Sequence, residues 1–377
     1  MKICLLTFTI LMLMACNESP KPKPVFTLYV GTYTGGGSQG IYSLDFNADN
    51  GELTNGRLLA KLPNPSYLAL SADGHNLYAV QETDDFDALG GGVTAFRRVR
   101  DTLEPLGSLG TSGAHPCHLE LSGDGHLAVA NYTGGNVAVF PLQENGALGK
   151  PPQILDHTLL DSTKAAHAHM ARFTPDGLLV ADLGLDALKR YRLEGGRFVP
   201  GDPPSLPFVA GAGPRHFDFG EQGKYLYVIN ELNSSISVFE RDGKGRYSEI
   251  QVVETLDPSF SGNNACADLH LSPDGRFLYG SNRGENSIVI FSVDPDSGTL
   301  SLVGRESVLG DWPRNFTLDP SGEFLLVGNQ RSGNIVVFKR DVDSGALAHL
   351  STVELADPAC LVFGQRPNDP EGQPVPR

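Results

Sequence analysis

CADLHLSPDGRFLYGSNRG, residues 266–284, is the stretch of sequence that decides the fold. Its first half alternates apolar and polar residues, a turn follows at Asp274 and Gly275, and FLYGSN reads as a second strand, which is the pattern of a β-hairpin rather than of a helix. Similar stretches recur along the chain, and their turn glycines lie 46 to 52 residues apart, at Gly74, Gly125, Gly177, Gly223, Gly275 and Gly322. A repeat of this period is typical of the four-stranded blades of a β-propeller.

The number of repeats predicts seven blades. The second-strand segments begin at Leu28, Leu77, Leu127, Leu178, Leu226, Leu278 and Leu325. The last first-strand segment, PACLVF (358–363), has no second strand after it, whereas LYVGTY (28–33) has no first strand before it. We therefore predict an all-β, seven-bladed β-propeller in which the N- and C-terminal strands complete one blade, so that no sheet edge is left unpaired at the closure.

The domain organisation follows from the same repeat. We predict one propeller domain over residues 25–365, because no linker interrupts the repeats. Residues 1–15 resemble the signal peptide of a bacterial lipoprotein: Lys2 is followed by an apolar run that is too short to span a bilayer, and LMA precedes Cys16. This resemblance implies cleavage before Cys16 and acylation of its thiol, with residues 16–24 as a tether. An ordinary secretion signal is the alternative, and residues 366–377 are expected to form a flexible tail.

These features predict an exported, membrane-anchored lipoprotein in the periplasm or on the outer face of the envelope, and we expect a monomer. The formal net charge of −15 disfavours nucleic acid as a partner, because a phosphate backbone requires a basic face. Within the propeller, Cys117, Cys266 and Cys360 lack metal-binding spacing and are expected to be buried thiols. The sequence contains no C-x-x-C-H motif, which would indicate covalently attached haem. We predict neither a cofactor nor a metal.

Two positions of the repeat should face the central channel at one end of the propeller. The first position lies eight residues before the turn glycine, and its occupants are Ser66, Cys117, His169, Arg215, Ala267 and Arg314, with Ala359 in the last blade. His169 and Arg215 are therefore neighbours in adjacent blades. His167 alternates with His169 along a strand, so only one of the two can face the channel, and His216 is expected to point away from Arg215.

The second position follows the second strand of each blade. Its occupants are Tyr33, Glu82, Tyr132, Leu183, Glu231, Arg283 and Gln330. Charged side chains such as Glu231 and Arg283 cost free energy beside a channel unless water solvates them, an opposite charge pairs with them or a ligand binds them. A functional role and a mutual salt bridge are therefore both possible interpretations of these two residues. The amides one residue earlier, at Asn131, Asn230, Asn282 and Asn329, are expected to cap turns inside the blades.

Several motifs resemble those of the seven-bladed propeller lactonase family, which includes bacterial propeller-type 6-phosphogluconolactonases and the fungal 3-carboxy-cis,cis-muconate lactonizing enzyme. The similarity extends from Phe26 to Phe363 and is carried by GTYT (31–34), AHAHM (166–170), GPRH (213–216), VINEL (228–232) and LYGSNRG (278–284). It implies a catalytic site made of a histidine, two arginines and a glutamate. In this sequence those residues are His167 or His169, Arg215, Glu231 and Arg283.

The implied activity is hydrolysis of a sugar lactone that is expected to be anionic. His169 or Glu231 would activate water, one arginine would stabilise the oxyanion, and the other would hold the substrate anion. A non-enzymatic propeller that binds a ligand or protein at the cell envelope is the alternative. A third possibility is a metal-dependent lactonase in which Glu231, Asp182 and Asn282 bind a divalent ion, although Arg283 would oppose a cation there.

Overall fold

Twenty-eight β-strands and one single-turn 3-10 helix (Glu221–Gly223) are found in the computed structural model, which describes residues 24–365. The strands form seven four-stranded antiparallel sheets, so the predicted all-β propeller with seven blades is confirmed. Blade 1 contains β1 (Val25–Thr32), β2 (Gly40–Asn47), β3 (Leu53–Lys61) and the C-terminal β28 (Pro358–Gly364). Blade 2 contains β4 (Leu68–Leu70), β5 (Asn76–Gln81), β6 (Gly92–Val99) and β7 (Thr102–Gly110), and blade 3 contains β8 (Pro116–Leu121), β9 (His126–Asn131), β10 (Asn136–Pro141) and β11 (Gln153–Asp156).

The other four blades follow in chain order. Blade 4 contains β12 (Ala168–Thr174), β13 (Gly177–Asp182), β14 (Ala187–Glu194) and β15 (Arg197–Pro207), and blade 5 contains β16 (Pro214–Gly220), β17 (Tyr225–Asn230), β18 (Ser235–Arg241) and β19 (Tyr247–Glu254). Blade 6 contains β20 (Ala265–Leu271), β21 (Phe277–Arg283), β22 (Ser287–Val293) and β23 (Leu300–Ser307), and blade 7 contains β24 (Pro313–Leu318), β25 (Phe324–Asn329), β26 (Asn334–Arg340) and β27 (Leu347–Glu354).

The predicted closure between the chain ends is confirmed. Strand β28 pairs antiparallel with β1, so that Leu28 lies opposite Phe363 and Val30 lies opposite Leu361. The ring of Phe363 packs 5.0 Å from that of Phe46, in an edge-to-face geometry typical of aromatic pairs. Hydrogen bonds and apolar packing thus join the two ends of the described chain within one sheet.

The hydrophobic core is divided into seven clusters, and each lies between two adjacent blades. Strand β17 shows why, because all six of its residues are buried. Successive side chains of a strand point to opposite faces. Tyr227 and Ile229 consequently pack toward blade 6, whereas Leu226 and Val228 pack toward blade 4. Burial on both faces explains why the second strands are continuous apolar runs.

A β-bulge interrupts the first strand in most blades, and it determines which side chains face the channel. In β16, Pro214 pairs with Asn230 and His216 pairs with Ile229, which leaves Arg215 without an opposing residue. The same irregularity occurs in the innermost strands of blades 1, 3, 4, 6 and 7. A bulge bends the strand locally and changes the direction of its side chains.

Several predicted features fall outside the described residues. These are the signal peptide (1–15), the acylated Cys16, the tether as far as Lys23, and the tail (366–377). Within residues 24–365, the three cysteines are free and buried, as predicted. No helix in that range has the length and apolar character needed to cross a bilayer.

Candidate active site

A small polar cavity lies where the first strands of the blades meet at one end of the channel. It has room for roughly one water molecule. Its lining residues are Ser66, Tyr67, Cys117, His169, Arg215, His216, Arg314, Asn315 and Ala359. Six of these nine residues occupy the first of the two repeat positions that the sequence placed at the channel. Five of the six lie at the bulges of blades 1, 3, 4, 5 and 7, and Ser66 lies just before the first strand of blade 2.

Two predicted residues, Arg215 and Arg283, share one carboxylate. Nε of Arg215 lies 2.9 Å from Oε2 of Glu231, and Nη2 of Arg283 lies 2.8 Å from the same oxygen. Both guanidinium groups are almost completely buried, with 2% and 5% of their side chains exposed, whereas Glu231 retains 18%. Each arginine also donates to a backbone carbonyl of blade 6: Arg215 to Ala267, and Arg283 to Ala265 and Cys266. The three charged residues are therefore held in one rigid arrangement.

A second ion pair lies beside the cavity and was not selected from the sequence. Arg314 is 3.7 Å from Oε1 of Glu82, and its guanidinium lies 5.0 Å from the ring centre of Tyr33. The Tyr33 hydroxyl donates to Glu82 at 2.7 Å, and Ser66 also hydrogen-bonds this carboxylate. Among residues 24–365, no hydrogen-bond acceptor is found for the Arg314 guanidinium. The N–H donors of Arg314 are thus freer to bind a ligand than those of Arg215 and Arg283, which already donate to backbone carbonyls.

The structure distinguishes between His167 and His169. His169 is buried and lines the cavity, and its Nδ1 has no hydrogen-bond partner in the described part of the chain. The ring of His167 instead stacks on Tyr132 at 4.5 Å, and its Nδ1 donates to the Tyr132 carbonyl oxygen. His167 does not line the cavity. The Tyr132 ring also makes an edge-to-face contact with His169, with 5.8 Å between the ring centres.

His216 also lines the cavity, so the prediction that it points away from Arg215 is wrong. The reason is the bulge at Arg215, which breaks the strict alternation of side chains along β16. His216 makes the inter-blade contact that was expected, because its Nδ1 lies 2.7 Å from Oδ1 of Asp268 in blade 6. Its register equivalent in blade 3, His118, is buried nearby but does not line the cavity.

The charges of the site favour an anion. Arg215, Arg283 and Arg314 outnumber the two carboxylates in contact with them, Glu82 and Glu231, by one positive charge. Burial alone would raise the pKa of Glu231, but attraction to Arg283 and Arg215 outweighs it and lowers the pKa. A carboxylate held in this way is a poor proton acceptor and a good anchor for the arginines.

The histidines of the cavity are neutral near pH 7. Burial, with repulsion from Arg215, lowers the pKa of His169 well below its usual range. The same two effects lower the pKa of His216 to about 4, although the hydrogen bond to Asp268 opposes them. Neutral imidazoles beside charged arginines can accept a proton from water, while the arginines can stabilise a negative oxygen.

The residues considered for a metal site are bound to separate partners. Asp182 accepts hydrogen bonds from Nδ1 of His157 and from the backbone of His167, and Asn282 donates to the hydroxyl of Ser287 and to the Thr255 carbonyl. Within residues 24–365, no group of three or more His, Cys, Asp or Glu side chains is placed to hold a metal ion.

The four asparagines after the second strands have structural roles, as predicted. All are buried. The Asn131 and Asn329 amides donate to the carbonyls of Thr111 and Val308, which follow the outer strands of the preceding blades 2 and 6, and thereby tie the ends of these second strands to the neighbouring blade.

Sequence reasoning missed Arg314, Glu82, His216 and Asp268. The first two occupy the same two repeat positions as Arg215 and Glu231, so the register already contained the signal for them. His216 and Asp268 had no such signal, because their orientation depends on the bulges.

The chain is similar in sequence and in structure to known seven-bladed propeller proteins. A family model described as "Lactonase, 7-bladed beta-propeller" matches residues 27–363. A 6-phosphogluconolactonase of Bacillus subtilis (strain 168) is 39% identical over 297 residues, covering 76% of this chain and 83% of the relative. A 6-phosphogluconolactonase of Formosa agariphila is 35% identical over 308 residues, covering 77% and 86%. The structure of a periplasmic gluconolactonase from Pseudomonas aeruginosa superposes with a TM-score of 0.85 at 36% identity, covering 91% of this chain and 100% of that chain.

Proposed function

The chain belongs to the seven-bladed β-propeller lactonase family and is thus a lactonase, and we propose that it opens a sugar lactone by direct attack of water on the ring carbonyl. The observation that carries this proposal is the convergence of Arg215, Arg283 and Arg314 with two neutral histidines at one end of the channel. Family membership supports an enzyme rather than the binding platform considered as the alternative.

Arg215 is the group that we assign to the oxyanion. It lines the cavity, and its orientation is fixed by Glu231 and by the carbonyl of Ala267. When water attacks the lactone, the carbonyl oxygen becomes negative, and a donor already in place stabilises that charge without reorganising. Glu231 and Arg283 hold this donor in position, and Arg283 extends the positive surface.

Arg314 is the group that we assign to the substrate anion. Its guanidinium has uncommitted donors, lies over the Tyr33 ring and is 17% exposed. A planar guanidinium suits phosphate or carboxylate because it can donate two parallel hydrogen bonds. The three arginines outnumber Glu82 and Glu231 by one positive charge, which supports an anionic sugar lactone as the preferred substrate. We expect a neutral sugar lactone to be a weaker substrate.

The water is activated by an imidazole of the cavity, and His169 and His216 are the two candidates. Glu231 is disfavoured as the base because two arginines already occupy its carboxylate oxygen Oε2. Lactones of sugars are activated esters, so neither an acyl-enzyme nor a cofactor is required.

We further propose that the enzyme acts as a monomer outside the cytoplasm, anchored through Cys16. The lipoprotein-like segment at residues 1–16 supports export. The periplasmic relative from Pseudomonas aeruginosa provides a precedent for a propeller lactonase in that compartment. An exported enzyme would meet unphosphorylated or oxidised sugar lactones more readily than cytosolic sugar phosphates.

A lactone panel tests the proposal. Purified protein is assayed with glucono-1,5-lactone, its 6-phosphate and a lactone that carries a carboxylate, each corrected for spontaneous hydrolysis and each with and without a chelator. We expect hydrolysis that is insensitive to chelator and fastest for an anionic lactone. Hydrolysis of no lactone above the spontaneous rate would refute the proposed function, and loss of activity with chelator would favour the metal-dependent alternative.

A further inference from the structure

His216 and Asp268 form a buried pair across the boundary between blades 5 and 6. Nδ1 of His216 lies 2.7 Å from Oδ1 of Asp268, and the two residues are 3% and 1% exposed. Burial alone would raise the pKa of Asp268, but attraction to His270 and hydrogen bonds from His216 and His270 hold it well below its usual range. Asp268 is therefore a carboxylate, which can only accept hydrogen bonds.

This contact fixes the tautomer of His216. Because the carboxylate accepts, Nδ1 of the neutral imidazole must carry the hydrogen, and the lone pair lies on Nε2. Within residues 24–365, Nε2 of His216 is buried and has no hydrogen-bond partner. The residue lines the same cavity as Arg215. Nε2 of His216 is thus an oriented hydrogen-bond acceptor without a partner in the described chain, and its residue lines a cavity with room for about one water molecule.

The position of Asp268 is itself set by the fold. In β20, Cys266 pairs with Asn282 and the next pair is Leu269 with Gly280, so two residues are skipped rather than one. The freed N–H of Asp268 donates to the Ser281 hydroxyl at 2.9 Å. Its other carboxylate oxygen accepts hydrogen bonds from Asn315 and from the backbone N–H of Phe316 in blade 7. The carboxylate is therefore held from three blades.

We propose that His216 is the general base of the hydrolysis and that Asp268 is its positioning residue, an assignment that rests on the proposed lactonase function. Nε2 of His216 takes a proton from water while the water oxygen bonds to the lactone carbonyl carbon, and the carbonyl electron pair moves to the oxygen beside Arg215. The intermediate then collapses, the bond from the carbonyl carbon to the ring oxygen breaks, and Nε2–H returns the proton to that oxygen. The products are a hydroxyl and a carboxylic acid, which ionises in water.

Two comparisons within the structure favour His216 over the other channel histidines. Nδ1 of His169 has no partner in the described chain, so nothing fixes its tautomer. His118 occupies the position of His216 in blade 3, but in the described part of the chain no carboxylate is found within hydrogen-bond distance of its ring, and its Nδ1 accepts a long 3.5 Å hydrogen bond from the Ala171 N–H. Orientation by a third group is the usual mark of a catalytic imidazole.

The first test replaces His216 by asparagine. The side-chain amide of Asn can keep a donor near the position of Nδ1 and removes the acceptor at Nε2. We expect His216→Asn to lower kcat for the preferred lactone at least 100-fold, the lower end of the range for general base catalysis, with KM changed less than threefold. The control is His349→Asn, which alters an exposed histidine on the outer strand of blade 7 and should keep kcat within threefold. Circular dichroism and melting temperature establish that both variants fold.

The outcomes separate the two proposals. A wild-type protein that hydrolyses no lactone overturns the lactonase proposal and this assignment with it. An active wild type together with a His216→Asn variant that keeps kcat within threefold overturns the assignment alone. If His169→Asn loses activity under those conditions, His169 is the base instead.

The second test reads the tautomer directly. Nitrogen NMR of protein labelled with ¹⁵N-histidine is expected to show His216 protonated at Nδ1 and unprotonated at Nε2 at pH 7. In Asp268→Asn the amide can donate to Nδ1, so the hydrogen moves to Nε2 and kcat falls by at least tenfold in a folded protein. A wild-type His216 protonated at Nε2, or an Asp268→Asn variant with unchanged kcat, contradicts the assignment.

Discussion

Arg215 and Glu231 face each other in the same blade, with Nε of the arginine 2.9 Å from Oε2 of the glutamate. The arginine comes from the bulge of the first strand and the glutamate from the end of the second. The two repeat positions identified in the sequence therefore meet as one buried ion pair. Because the pair is buried, substitutions in it are expected to affect stability as well as the proposed activity, and the two effects must be separated by experiment.

Arg215→Gln is expected to lower kcat for lactone hydrolysis by about 100-fold or more, the scale for loss of one oxyanion donor. It should also lower the free energy of unfolding by about 1–3 kcal/mol, because Glu231 loses one of its two arginine partners and keeps Arg283. Glu231→Gln removes the carboxylate that Arg215 and Arg283 share, so it should destabilise the fold at least as much, but it keeps the Arg215 donor and should lower kcat less than Arg215→Gln does. Melting temperatures and kcat of the two variants distinguish the roles, and losses of kcat that simply follow the losses of stability would make the pair purely structural.

Arg314→Gln is expected to weaken binding of anionic lactones at least tenfold while it changes KM for a neutral lactone much less. The reason is that the guanidinium of Arg314 is the least committed of the three, and an ion pair with the substrate would be lost. KM values for matched anionic and neutral lactones provide the measurement. Trp312, the only tryptophan of the chain, contacts Arg283 and can report binding of the hydroxy-acid product by fluorescence. Equal losses for both substrates would argue against an anion site at Arg314.

Stability should decrease as the pH falls from about 6.5 to 4. His216 has a pKa of about 4 in the folded protein, below its ordinary value of 6.5, so within this window the unfolded chain binds a proton that the folded protein does not. The lower pKa of His216 corresponds to a loss of roughly 3 kcal/mol in the free energy of unfolding across this pH range, at about 1.4 kcal/mol per pKa unit. Melting temperatures measured across this range should fall less steeply for His216→Asn. His75→Asn, which alters an exposed side chain, should follow the wild type; parallel slopes for all three proteins would contradict the prediction.

Phe363→Ala is expected to lower the free energy of unfolding by about 3–5 kcal/mol, because it opens a cavity in the cluster that joins blades 1 and 7. The closing strand would keep its backbone pairing but lose an aromatic anchor. Denaturant unfolding followed by circular dichroism provides the measurement. Val342→Ala removes an exposed aliphatic side chain and should change stability by less than about 0.5 kcal/mol. Equal effects of the two substitutions would mean that the closure carries little of the stability.

His167→Asn is expected to change kcat less than threefold. The ring of His167 stacks on Tyr132 and donates to its carbonyl instead of lining the cavity. Steady-state kinetics of His167→Asn and His169→Asn provide the comparison. A large loss of kcat in the His167 variant alone would move the catalytic site toward Tyr132.

Many residues of the candidate site could be predicted from their positions within the repeat. Counting from the turn glycines gave His169 and Arg215 as neighbours, and both line the cavity. The same counting contained Arg314 and Glu82, whose significance became visible only through their contacts. The orientation of His216 was predicted wrongly because a bulge reverses the side-chain alternation after Arg215, and a sequence pattern of period two does not reveal where the bulge falls.

The sequence by itself determined the architecture, because turn glycines at a fixed period and apolar runs buried on both faces are local properties of each repeat. It also determined the closure, since PACLVF and LYVGTY each lacked a partner elsewhere. Only the tertiary structure decided how the channel side chains pair. Arg283 reaches Glu231, and Asp268 reaches His216, from the next blade, because bulges and blade packing set distances of a few ångströms between residues 52 positions apart. Such distances depend on the closed ring as a whole, and no single repeat encodes them.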